Sequence, residues 1–273
     1  MKSYNEVFRN LKNSKEGALV AFTVIGDPNY KTSLEITKKI IDAGADIIEL
    51  GLPFSDPIAD GPSIQAANVR ALNDGINTDN VFEFVKELRK YTDIPIGFLS
   101  YYNLIYQRGI KKFYSDSRKS GVNGILIADV PIEEYNTIFK NAKDTNIDTV
   151  FMISPLTDNK RIKKIAKSTT GFIYAVSRLG VTGARSNLEK STLILIKRIR
   201  KFTNKPTCVG FGISKPEHVK SIIKAGADGV IVGSAIVDLI AENINNEEKM
   251  LNYIYAYIKS MKVATISHKN LSI

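Results

Sequence analysis

The sequence predicts an α/β chain of eight β/α units closed into one parallel barrel, the (β/α)8 or TIM barrel. Three observations lead there. Eight short runs rich in Val, Ile, Leu and Ala alternate with longer charged stretches of helical period, and 273 residues give each unit about 34 residues, a sensible size. The runs are nearly continuously apolar, as strands buried on both faces must be. A faint repeat recurs before three of them: Ala43-Gly44-Ala45-Asp46, Ser120-Gly121-Val122-Asn123 and Ala225-Gly226-Ala227-Asp228. Each glycine falls where a helix should end and where a left-handed residue turns the chain toward the next strand. The main rival is a doubly wound open sheet.

In chain order, a charged helix follows Met1-Lys2-Ser3-Tyr4-Asn5-Glu6, outside the eight units. The strands are expected at residues 19–24, 46–50, 94–99, 124–128, 149–153, 172–176, 207–210 and 229–232. Helix starts are marked by Asp27-Pro28, Gly61-Pro62 and Lys215-Pro216-Glu217, since proline suits the first turn of a helix. With no linker or break in composition, one domain over residues 1–263 is expected, followed by a loose tail at 264–273.

Hydrophobic residues at 44% and charged residues at 24% match an ordinary globular chain. The longest apolar stretches, such as residues 18–25, fall well short of the roughly 18 residues of a membrane helix, and the N-terminus lacks a signal region. A cytoplasmic protein is expected. One cysteine, Cys208, excludes an internal disulfide or a cysteine cluster, and two distant histidines, His218 and His268, argue against a metal site. The net charge of +10 is scattered along helix faces beside acids, as in Glu83-Phe84-Val85-Lys86-Glu87-Leu88-Arg89-Lys90, and suits an anionic substrate or acidic partner better than nucleic acid.

In such a barrel, reactive groups stand on the loops after the strands. Glu49, within Asp46-Ile47-Ile48-Glu49-Leu50, is a carboxylate in an apolar strand, which is costly unless paired or used. If Ile48 and Leu50 face the helices, Glu49 points into the barrel, where burial raises its pKa toward neutral. The alternative is a structural carboxylate held by backbone or lysine. The loop Phe54-Ser55-Asp56-Pro57-Ile58-Ala59-Asp60-Gly61-Pro62 brings a second acid, Asp60, eleven residues on. Asp60 reads equally as a helix N-cap, but two acids in different surroundings can divide acid and base work.

Gly210-Phe211-Gly212-Ile213-Ser214 and Gly233-Ser234 follow the last two strands, the usual phosphate position of a barrel. No dinucleotide or P-loop motif is present. The stretch Ser177-Arg178-Leu179-Gly180-Val181-Thr182-Gly183-Ala184-Arg185 reads as a lid, or else as a surface loop.

The segment from Glu49 to Gln65, Glu49-Leu50-Gly51-Leu52-Pro53-Phe54-Ser55-Asp56-Pro57-Ile58-Ala59-Asp60-Gly61-Pro62-Ser63-Ile64-Gln65, closely resembles the signature of the tryptophan synthase alpha subunits. The stretch at 177–183 and both glycine turns match the same family in order and spacing. The resemblance runs from about Tyr4 to about Ile258. It implies a barrel that cleaves indole-3-glycerol phosphate to indole and glyceraldehyde 3-phosphate, with Glu49 as the acid at indole C3 and Asp60 on the ring N–H. It further implies an indole slot of Phe22, Leu99, Tyr101, Leu126 and Ala128, with Tyr174 near the side chain. Phosphate contacts would come from Gly183, Phe211, Gly212, Gly233 and Ser234, and Thr182 would complete the substrate contacts. The family implies no cofactor in this chain, a beta-subunit partner carrying pyridoxal phosphate, and an alpha2-beta2 complex. Pro53, Asp56, Asn103 and Tyr106 are the expected partner contacts. Three other readings stay open: a free-standing lyase, a non-catalytic ligand-binding regulatory subunit, and an indole-glycerol-phosphate synthase or phosphosugar isomerase on the same fold.

Overall fold

Among the described residues, nine strands are present rather than eight: β1 (Ala18–Val24), β2 (Ile47–Gly51), β3 (Ile96–Ser100), β4 (Gly124–Ile127), β5 (Asp148–Thr149), β6 (Phe151–Ile153), β7 (Ile173–Val176), β8 (Thr207–Gly210) and β9 (Gly229–Val232). The computed structural model describes residues 1–177 and 185–266, with the backbone alone for 185–190. The extra strand arises because the fifth apolar run is interrupted at Val150. β5 pairs with β4 and β6 pairs with β7, so one interrupted run supplies both ends of the order β5-β4-β3-β2-β1-β9-β8-β7-β6. Every pairing between these strands is parallel. With both ends of the order joined through Val150, the sheet curls into the expected (β/α)8 barrel.

The helices are α1 (Tyr4–Asn13), α2 (Tyr30–Asp42), α3 (Pro62–Asn73), α4 (Thr78–Arg89), α5 (Tyr102–Arg108), α6 (Ile110–Ser120), α7 (Asn136–Thr145), α8 (Asn159–Ser168), α9 (Arg185–Arg200), α10 (Pro216–Lys224), α11 (Ser234–Glu242) and α12 (Glu247–Val263). Prolines open α3 and α10 as read from the sequence, whereas α2 starts two residues after Asp27-Pro28, with Asn29 as its cap. Gly44, Gly121 and Gly226 end helices with φ of 104°, 101° and 99°. The third strand starts at Ile96 rather than 94, because Asp93 and Ile94 still belong to the turn. There the Ile94 carbonyl accepts Arg89 Nη1 at 2.5 Å.

Two apolar shells follow from the alternation of side chains along each strand. Outward residues such as Ile48, Leu50, Phe98 and Ile125 pack beneath the helices. Inward residues such as Val20, Ile47, Leu126, Phe172, Tyr174, Cys208 and Ile231 fill the barrel. Tyr4, Val7 and Phe8 of α1 join this inner shell and plug the barrel from the amino ends of its strands. Tyr4 stands edge-on to Phe172 with ring centroids 5.4 Å apart. At the other end of the chain, Ala264 and Thr265, read as the start of a loose tail, are buried. The Thr265 carbonyl accepts the Gly17 N–H at 2.9 Å, and residues 267–273 of the expected tail lie outside the described residues. Among the described residues, no helix is long and apolar enough to cross a membrane.

Candidate active site

Ile48 and Leu50 face the helices, which turns Glu49 inward. It is 4% exposed, and among the described residues its Oε2 has no hydrogen-bond partner. Burial alone pushes its pKa from 4.5 to about 8, since desolvation disfavours the charged form. The strand neighbours of Glu49 are Phe22 on β1 and Gly97 on β3, and Tyr4 and Tyr174 feel its charge.

Asp60 belongs to the loop between β2 and α3 and is not the cap of α3. Gly61 holds that place and makes no side-chain cap bond. The carboxylate of Asp60 instead takes hydrogen bonds from the Tyr101 hydroxyl and the Asn68 amide, while burial raises its pKa to about 6. Its charge reaches Tyr174 too, so both acids act on one tyrosine inside the barrel. The loop is fastened at several points. The Tyr101 oxygen accepts the Ala59 N–H at 3.1 Å, Gln65 Nε2 donates to the Asp60 carbonyl at 2.9 Å, and Phe54 stacks on Tyr101 with centroids 5.1 Å apart.

Apolar surfaces surround the two acids. Phe22, Tyr101, Leu126 and Tyr174 are buried; Leu99 and Ala128 are partly buried against the inner shell. Tyr174 lies so close to Gly210 that a Cβ there would stand 2.5 Å from its hydroxyl, a contact no side chain tolerates. Past that glycine, Phe211 is left-handed at φ 69° and Gly212 at 77°. A bulky residue in that region is strained. The Phe211 carbonyl is held by the Ser177 hydroxyl, and its ring meets Tyr174 with centroids 5.9 Å apart. After the neighbouring strand β9, Gly233 is the cap residue of α11 and makes no side-chain cap bond, and Ser234 opens the helix exposed. Such a terminus presents free N–H groups and the positive end of the helix dipole to an anion.

Thr182 and Gly183, with the rest of the expected lid at 178–184, lie outside the described residues. Of the expected partner contacts, Asp56 and Asn103 are exposed, and Tyr106 is 62% exposed. Pro53, in the chain taken alone, is buried. Sequence reasoning missed Phe54 as a ring partner, and it missed Asn68. The available signal for Asn68 was a polar residue between Ile64 and Ala71 on the apolar stripe of α3.

A family model described as the tryptophan synthase alpha chain matches residues 8–266. The chain belongs to that family. It is 48% identical over 262 residues to the tryptophan synthase alpha chain of Methanothermobacter thermautotrophicus, covering 96% of each. To that of Francisella tularensis it is 44% identical over 97% of this chain and 98% of the relative. Among solved structures, the tryptophan synthase complex of Pyrococcus furiosus contains a chain superposing with TM-score 0.82 at 38% identity, over 90% of this chain and 98% of that one. The tryptophan synthase alpha subunit of Legionella pneumophila superposes with TM-score 0.88 at 30% identity, over 97% and 98%. Family membership makes this chain an enzyme subunit with the tryptophan synthase alpha role.

Proposed function

We propose that the chain is a carbon–carbon lyase that cleaves indole-3-glycerol phosphate to indole and glyceraldehyde 3-phosphate, with Glu49 and Asp60 as its catalytic pair. The observation that carries this reading is the split between the two carboxyls, at about 8 for Glu49 and about 6 for Asp60. Near pH 7 the first holds a proton and the second has lost one, as acid and base work requires.

Glu49 gives its proton to indole C3 while Asp60 takes the ring N–H proton, and the ring becomes an indolenine. The Glu49 carboxylate then removes the proton of the side-chain hydroxyl beside C3. The O–H electrons form the aldehyde C=O, and the bond from C3 to that carbon breaks. Its electron pair returns through the ring to nitrogen, which recovers the proton from Asp60. Glu49 ends protonated and Asp60 ionised, so both acids finish as they began. The indole ring occupies the slot of Phe22, Leu99, Tyr101, Leu126 and Ala128, with Tyr174 beside the side chain. The phosphate rests on the N–H groups of Gly183, Phe211, Gly212, Gly233 and Ser234, and Thr182 completes the substrate contacts.

In this reading the chain uses no cofactor of its own. Pyridoxal phosphate is assigned to a beta subunit in an alpha2-beta2 complex. The exposed Asp56, on the loop after β2, and Asn103 and Tyr106, on α5 directly after β3, would meet that subunit. The test is to supply indole-3-glycerol phosphate and follow indole spectroscopically, with and without the beta subunit. Slow cleavage accelerated by the partner is expected; absence of indole in both cases refutes the proposal.

A further inference from the structure

Asp60 sits on a loop, yet one of its two side-chain donors sits on a helix. Asn68, nearly two turns into α3 and 3% exposed, spends both ends of its amide on this neighbourhood. Its Oδ1 accepts the Phe54 N–H at 3.2 Å. Its Nδ2 donates to the Ile64 carbonyl at 3.0 Å and to Asp60 Oδ2 at 3.5 Å. These partners leave one orientation of the amide, because a backbone N–H needs an oxygen and a carboxylate needs an N–H. The helix is itself pinned. Two residues on, Arg70 grips the fully buried Asp27 with Nε to Oδ1 at 2.6 Å and Nη2 to Oδ2 at 3.0 Å. The donor's position is therefore set by a buried ion pair on a rigid element rather than by the loop it steadies.

We propose that Asn68 is a positioning residue for Asp60, orienting its carboxylate with Nδ2 while Oδ1 fastens the start of the same loop. This rests on the reading that Asp60 handles the ring N–H proton. The Asn68 bond also favours the ionised carboxylate, in the same direction as the Tyr101 hydroxyl and against burial. The titratable groups facing Asp60 among the described residues are Tyr101 at the end of β3 and Tyr174 on β7; Asp129 acts on Tyr101. Loss of the Asn68 donor therefore raises the proton affinity of Asp60.

The test compares the full chain with Asn68→Asp, Asn68→Ala and Asp60→Asn, measuring kcat and KM for indole-3-glycerol phosphate across pH. Asn68→Asp keeps an acceptor for Phe54 but replaces the donor with a like charge. Asn68→Ala removes both and serves if the first variant does not fold. In either folded variant the acidic limb of kcat/KM should move up by about one pH unit. The value of kcat should fall roughly tenfold, more than KM changes. A parental acidic limb in a folded Asn68 variant overturns the proposal and leaves Asn68 as a loop anchor only. Parental activity in Asp60→Asn overturns the reading of Asp60 and this inference with it. An inactive Asp60→Asn beside parental Asn68 variants removes this inference alone.

Discussion

Replacing Glu49 by Gln should make the chain more resistant to unfolding as pH rises. Glu49 holds its proton more tightly folded than unfolded, because burial lifts its pKa from 4.5 to about 8. Below the lower value the carboxyl is neutral in both states and contributes no charge penalty. Between the two values the unfolded chain ionises while the folded chain does not, so stability falls with pH. Above the higher value the buried charge is present and the loss is complete. At about 1.4 kcal/mol per pH unit the full loss is about 5 kcal/mol. Gln stays neutral throughout, and any cost of its extra N–H groups is the same at every pH. Urea unfolding followed by circular dichroism at about pH 5, 7 and 9 measures the difference. The advantage of Glu49→Gln over the parent should grow by about 4 kcal/mol across that range. Growth of less than about 1 kcal/mol would mean that the carboxyl is solvated when folded, and the desolvation argument would fall.

Other consequences are as direct. With Asp60 required ionised and Glu49 required protonated, kcat/KM should be bell-shaped with limbs at about 6 and about 8, read from initial rates across pH; a flat profile contradicts the pairing. Arg70→Ala leaves Asp27 buried without its partner and should cost about 3–5 kcal/mol in urea unfolding, and a loss under about 1 kcal/mol would show that the pair does not anchor α3. Gly210→Ala puts a methyl group 2.5 Å from the Tyr174 hydroxyl. Overpacking of this kind should cost about 1–3 kcal/mol and depress indole formation, and parental rate and stability together would show that Tyr174 is free to move.

The barrel was legible because buried parallel strands leave a coarse signal: apolar runs at regular spacing, with glycine ending the helix before three of them. The inward aim of Glu49 was legible for the same reason, since Ile48 and Leu50 fix the parity of β2 and leave one face for the carboxylate. The interruption at Val150 was not, because an apolar run looks the same whether one strand or two share it; the change of partner from β4 to β7 is a property of closure. The plug made by Tyr4 and Phe8 was likewise hidden. Their amphipathic spacing marks a helix, but only the barrel decides which surface that helix covers. Local sequence could not separate Asp60 as a cap from Asp60 as an acid. Only the folded loop separates the cap: Gly61 takes that place on α3, and the Tyr101 hydroxyl, forty-one residues on in the sequence, reaches the Asp60 carboxylate.

One comparison bears most directly on the buried acid at the centre of this account: indole release from indole-3-glycerol phosphate by the parent chain and by Glu49→Gln, both with the beta subunit. A folded Glu49→Gln chain that binds the substrate yet loses turnover by a factor of about a thousand or more is the predicted result. Turnover within about tenfold of the parent would show that another group delivers the proton to the ring.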